Sequence, residues 1–113
     1  VKNSVLFNKV AKHLLKQNAK SISGPDGDCL YHGPNKLRCA VGCLIPFSFD
    51  TSDIEGMDVA SLSAHCDMEQ FGVTDDNIDL LNPLQNIHDN YKPSLWRNKL
   101  KKLAKEQEIE WKL

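Results

Sequence analysis

Near each end of this chain, apolar side chains return every three or four residues, and that spacing limits most how it can fold. Between residues 4 and 20, Leu6, Phe7, Val10, Ala11 and Leu14 share one helical face, with Lys9, Lys12, Lys16 and Lys20 on the other. Towards the other end Pro93 suits a first helical turn. There Trp96, Leu100, Leu103 and Ala104 form a second stripe opposite Lys101, Lys102 and Lys105. A helix with one apolar stripe has to bury it against another element, so the two stripes predict a shared core. At 113 residues the chain matches the common domain size of about 100–150 residues, and one compact domain over 1–113 is expected.

The stretch between the two helices is punctuated by turn residues. Gly24-Pro25-Asp26-Gly27-Asp28 ends the first helix. Cys29–His32 reads as a short strand, turned by Gly33-Pro34-Asn35 towards Lys36-Leu37-Arg38. Residues 39–45 read as a short apolar helix stopped by Pro46, with Gly42 letting another element come close. Residues 47–58 form a loop with two aromatic anchors, Phe47 and Phe49. A helix is expected over 58–70 with Val59, Leu62, Cys66 and Met68 inward, ended by Gly72. Thr74 caps a third full helix, Asp75 and Asp76 lie where the helix dipole favours negative charge, and Pro83 should kink or split it into 75–81 and 83–89. Ile109, Trp111 and Leu113 alternate with Glu110 and Lys112, so the tail is expected to pair with the strand near Cys29. The predicted fold is mainly α, with four or five helices around one core and at most a small two- or three-stranded sheet, an α+β minor component.

A net charge of −1 conceals three blocks. Residues 1–38 carry +5, residues 39–91 carry −10 without a single Lys or Arg, and residues 92–113 carry +4. Such asymmetry marks an interaction surface or, in the plainer reading preferred here, basic ends that pack beside an acidic middle and neutralise it. No apolar run approaches the roughly 18 residues of a membrane span, and none of the six glycines falls in a phosphate-loop or dinucleotide pattern. Four cysteines without other signs of secretion favour reduced thiols and a cytoplasmic setting.

The run Cys29-Leu-Tyr-His-Gly-Pro-Asn-Lys-Leu-Arg-Cys39-Ala-Val-Gly-Cys43-Leu-Ile-Pro46 resembles a group of small uncharacterised bacteriophage and bacterial proteins. Their signature is Cys-x-Tyr followed by Cys-Ala-(Ile/Val)-Gly-x-Leu-Ile-Pro and an acidic loop with Glu-Gly, here Glu55-Gly56. Leu84-Gln85-x-x-His88-Asp89 and the helix containing Trp96 are also similar, and the likeness spans about residues 4–108. Cys43 stands where similar sequences carry His or Ser, which argues against an essential role for its thiol. The resemblance implies a viral or bacterial accessory protein acting inside the host cell, and it supplies no catalytic residues.

Four functional readings follow from the side chains. Structural zinc would draw on Cys29, Cys39, Cys43, His65 and Cys66, with His32 as a further donor, because zinc wants four N or S ligands and Cys39-x3-Cys43 has a suitable spacing. Core packing is the preferred alternative, since free cysteine behaves as a small hydrophobe, and no cofactor is expected. Thiol catalysis would use Cys39 as nucleophile with His88 and Asp89 as base and orienting acid. Neighbours on a helix point about 100° apart, so Asp89 is not expected to orient His88. Nucleic-acid binding would use the lysine stripes of the two terminal helices, provided they lie side by side. The favoured reading is binding of a host or viral protein through the acidic middle, with Phe47, Phe49, Asp50, Asp53 and Glu55 as the contact residues. Cys39 itself is expected to be a buried packing residue beneath Cys29–Tyr31, with Arg38 reaching past it to solvent.

Overall fold

Four α-helices with three short 3-10 turns make up just over half of the chain in a computed structural model that describes residues 1–23 and 27–113. The turn expected at 24–28 lies largely outside the described residues. The helices are α1 (Asn3–Gln17), α2 (Val59–His65), α3 (Asp75–Asn90) and α4 (Pro93–Glu106), with short 3-10 turns at Pro34–Lys36, Gly42–Leu44 and Met68–Phe71. The predicted stripes are the buried ones: Leu6, Phe7, Val10, Ala11 and Leu14 on α1, and Trp96, Leu100, Leu103 and Ala104 on α4. Helices α1, α3 and α4 pack against one another in every pairing, and α2 leans on α3. The mainly helical, single-core fold read from the sequence is the one the chain adopts.

Among the described residues no sheet forms. Two single antiparallel bridges, Ile22 with Cys29 and His32 with Arg38, knit the segment between α1 and the Gly42 turn. The tail does not join them. Asn8 on α1 donates from Nδ2 to the Glu110 carbonyl at 3.1 Å and accepts the Lys112 N–H at 3.0 Å, so the tail runs along α1 instead. Trp111 then meets the edge of Phe7 with ring centroids 6.1 Å apart. Of the alternating apolar residues Ile109 and Trp111 are half-buried while Leu113 is exposed, and the Asn8 side chain, not a partner strand, takes the Glu110 carbonyl and the Lys112 N–H.

Three helix boundaries differ from expectation, each for a local reason. Asn18 takes a left-handed conformation (φ 48°, ψ 35°) and its N–H closes on Leu14, ending α1 three residues before Lys20. The segment 58–70 is not one helix. Cys66 is extended at φ −132°, and Asp67 then caps a separate turn by accepting the Glu69 N–H. Pro83 neither splits nor ends α3, which continues from Asp75 to Asn90. The ring removes one backbone donor, while Leu80, Leu81, Leu84 and Ile87 are buried around it and hold the helix to the core. The start of α3 is as predicted: Thr74 and Asn77 form a reciprocal capping box.

The Cys39–Ile45 segment is the keystone of the non-helical half. It forms a single tight turn, with the Cys43 N–H donating to Cys39 and the Ile45 N–H to Gly42. Val41, Gly42 and Ile45 are buried. A Cβ on Gly42 would stand 1.9 Å from the Tyr31 carbonyl oxygen, so only glycine lets the Cys29–Tyr31 segment lie against this turn. From α1, Gln17 and His13 both donate to the Arg38 carbonyl, and Gln17 accepts the Arg38 N–H. From α3, Gln85 accepts the Val41 N–H at 3.0 Å.

Candidate functional site

The Gln85 side chain that holds Val41 also reaches the first polar cluster of the molecule. Its Nε2 donates to Asp89 Oδ1 at 2.7 Å, one helical turn along α3. The same oxygen accepts from His88 Nδ1 at 2.7 Å. On the far side of the ring, His88 Nε2 accepts the Ser21 backbone N–H at 3.0 Å. A backbone N–H can only donate, so Nε2 carries the lone pair and the proton of the neutral ring sits on Nδ1. The ring itself is fully buried and stacks on Trp96 with centroids 5.5 Å apart. The expectation that Asp89 would not orient His88 is therefore overturned, because Gln85 and Ser21 turn the two adjacent side chains towards each other.

The cysteine beside this pair is Cys29, not Cys39. Ligand-type atoms of Cys29, His88 and Asp89 all lie within 4.8 Å of one another. Burial opposes charge on Asp89, yet hydrogen bonds from His88, Cys29 and Gln85 outweigh it and hold the carboxyl below the usual carboxylate range. The thiol pays the opposite way: burial, and then its hydrogen bond to Asp89, push Cys29 up to about 12. This is the reverse of an activated nucleophile, which needs its thiolate stabilised. The base is unsuited as well, since the free lone pair of His88 points at Ser21 and its proton at Asp89. The same tautomer leaves no ring lone pair facing Cys29 or Asp89 for a cation. What the cluster does is lock the start of the Ser21–Leu30 segment onto the end of α3, reinforced by Lys20 donating to the Asp89 carbonyl at 3.1 Å.

The other predicted ligands and catalytic residues are dispersed. Cys39 is 1% exposed, its Sγ accepts the Gly42 N–H at 3.3 Å, and burial raises its pKa. Cys43 is buried behind it and pushed up to about 12 by burial. His32 turns its Nε2 to the Ile45 carbonyl at 2.9 Å. Among the described residues, Cys39, Cys43, His65 and Cys66 share no metal-sized grouping with one another. Cys39 is thus buried as expected, and Arg38 beside it is half-buried. Its guanidinium lies over the Phe47 ring at 4.4 Å, and its Nε is buried without a hydrogen-bond partner.

The contact residues expected on the acidic loop divide. Phe49, Asp50 and Asp53 border a recess of about 330 Å³ with His65 and Asp67. Phe49 is half-buried there and meets Phe71 edge-on at 5.2 Å. Phe47 stands apart and is 54% exposed, the most exposed aromatic side chain of the loop. Glu55 faces inward. Its carboxylate accepts the Tyr31 N–H at 2.6 Å, the His32 N–H at 3.2 Å and the Thr51 hydroxyl at 2.7 Å. It is a brace for the Cys29–His32 segment and not a contact for a partner.

A larger cleft of about 630 Å³ opens on the outer side of the Cys29–Asp89 contact. Asp28, Asp58 and Asp89 line it together with the carboxamides of Asn82, Gln85, Asn86 and Asn90. No Lys, Arg or His lines it among the described residues. Asp58 is there because it caps α2, accepting the Ser61 N–H at 2.7 Å. Reasoning from motifs passed over this wall, although Asn82, Asn86 and Asn90 recur every fourth residue and so mark one polar helix face.

The expected neutralisation of the acidic middle by the basic ends does not occur through contact. Among the described residues, the one pairing of a Lys or Arg with a carboxylate is Lys102 with Glu106 at 4.0 Å, inside α4. Comparison with known proteins returned no matching family, no similar curated protein and no similar solved structure.

Proposed function

We propose that this protein acts by binding, receiving a basic segment of another protein on its acidic face. The carrying observation is the 630 Å³ cleft, walled by three carboxylates and four carboxamides with no cationic side chain of its own. Carboxylates left unpaired on a surface attract a cationic partner over distance and then choose it by fit. The carboxamides of Asn82, Asn86 and Asn90 add polar groups suited to a guanidinium or ammonium group and its flanking backbone. The recess at Phe49, Asp50 and Asp53 extends the same chemistry to a second point on the acidic block. The locked tautomer of His88 and the raised thiol of Cys29 support a binding role over a thiol-dependent reaction. The resemblance of the Cys29–Pro46 segment to small uncharacterised bacteriophage and bacterial proteins would fit a host or viral partner.

The test is calorimetric titration with a lysine- and arginine-rich peptide, alongside a peptide of equal length in which glutamine replaces the lysines and arginines. Binding should weaken severalfold in the double variant Asp28→Asn, Asp58→Asn, where asparagine preserves the α2 cap, and should weaken with added salt. Equal affinity for the neutral peptide, or indifference to both substitutions, sinks the proposal.

A further inference from the structure

The opposite charge is concentrated where α1, α4 and the tail meet. A groove of about 450 Å³ there is lined by Lys12 and Lys16 of α1, Arg97 of α4, and Lys112 of the tail, with Leu15 and Leu113 between them. All four cations are exposed, none is ion-paired, and no acidic side chain lines the groove among the described residues. Three separate segments build it. Packing of α1 on α4 sets two walls, and the bonds from Asn8 to Glu110 and Lys112 bring the third. Lys12 and Lys16 stand four residues apart, a rise of about 6 Å along the helix. Lys101, just outside, lies over the Trp111 ring at 5.8 Å.

We infer that this groove binds a single-stranded nucleic acid through its phosphodiester backbone. Lysines on a helix ordinarily do no more than solvate it. Here they face an arginine from a second helix and a lysine from the tail across one depression, so four positive side chains converge with no acidic side chain among the described lining residues. The leucines favour a single strand over a duplex, because a single strand offers sugar and base edges beside its phosphates. A duplex would present this site with phosphates on a stiff rod and leave the leucines idle. An acidic protein segment shares the charge but lacks the continuous line of charges along one backbone. DNA and RNA carry the same backbone chemistry, and the two are separate arms of the test.

The experiment is fluorescence anisotropy with labelled 15-nucleotide thymidine and uridine oligomers, run on the full chain at several salt concentrations. With four phosphates engaged and a slope of about −0.7 per contact, raising salt from about 50 to about 200 mM should weaken binding about 50-fold. Removing one contact, in Lys16→Ala or Arg97→Ala, should reduce that salt effect to about 20-fold. Lys102→Ala, also on α4 but outside the groove, should keep the original slope. Circular dichroism confirms that each variant is folded. Binding of either oligomer with this pattern supports the groove, and the stronger of the two identifies the nucleic acid. Failure of both oligomers to bind overturns it, as does a slope altered equally by Lys102→Ala. Displacement by poly-glutamate as effective as by the oligomers also overturns it, in favour of an acidic protein.

Discussion

His88 donates its Nδ1 proton to the carboxylate of Asp89, the residue that follows it, at 2.7 Å. Consecutive side chains on a helix diverge, so the contact exists only because each is turned by a third group. Gln85 fixes the acid and the Ser21 N–H fixes the ring. An arrangement that resembles two-thirds of a catalytic triad is in fact a clasp between α3 and the segment that follows α1.

Asp89 should give the protein a measurable acid sensitivity. Its folded pKa lies below the unfolded value of about 3.9, so the folded state binds fewer protons between the two. The stability it contributes is complete above about pH 4 and is lost as pH falls through the folded value. Asp89→Asn should cost about 2 kcal/mol at pH 7, the scale of hydrogen bonds to a charged group. It should also flatten, in part, the loss of stability on acidification, since Asp50 and Asp58 are shifted in the same direction and remain. Urea denaturation at pH 7, 5, 4 and 3 measures both effects, and an unchanged pH profile would count against the clasp.

Glu55 and Asp53 should behave as opposites despite sharing a loop. Glu55→Ala strips the acceptor from two backbone N–H groups and a hydroxyl, and should cost about 2–3 kcal/mol. Asp53 is exposed, and Asp53→Ala should stay within about 0.5 kcal/mol of the parent. Thermal melting followed by circular dichroism separates the two.

Gly42→Ala should be among the most damaging single-methyl additions in the chain. The new carbon would sit 1.9 Å from the Tyr31 carbonyl, a backbone atom that cannot swing aside. A loss of about 3 kcal/mol or more is expected, at or beyond the upper end for overpacking. Tyr31 should report the displacement, because its hydroxyl donates to the Met57 carbonyl and its ring is buried. A folded Gly42→Ala variant with parental stability would mean that the two segments do not touch.

Alkylation should distinguish the cysteines. Cys29, Cys39 and Cys43 all have raised thiol pKa values through burial, so iodoacetamide near pH 7.5 should modify them slowly in the folded protein and rapidly in urea. Cys39→Ala should cost about 1 kcal/mol, the scale of a small buried deletion. Intact-mass time courses read the labelling. Fast single-site modification of Cys29 or Cys39 in the native state would revive a catalytic reading.

Helix existence was legible wherever a stripe ran for three turns, as with Leu6 to Leu14 and Trp96 to Ala104, because burial of one face decides such segments. Boundaries were not, because Asn18 and Cys66 stop helices through single backbone angles that periodicity does not encode. Pro83 shows the converse, a strong local breaker overruled by four buried neighbours. At the candidate site, His88 and Asp89 could be named from sequence but not Cys29, since its approach depends on Ser21 pairing with Leu30 and on the close packing at Gly42. Glu55 was misread for the same reason: an acid in a loop looks solvated until the backbone it braces is in place.

The bonds from Asn8 to the tail join residues 102 and 104 positions apart in sequence, and both are exposed. Because α4 already packs on α1, releasing these exposed bonds frees only the short segment after Glu106, so the tail can open without unfolding the rest. The two tryptophans would then keep different time. Trp111, half-buried against Phe7, registers each detachment of the tail, whereas Trp96, wholly enclosed and stacked on His88, changes only when the core itself comes apart. Each detachment would also dismantle the groove that Lys112 helps to wall, so a strand seated there should slow amide exchange at Lys112 while leaving the core amides untouched.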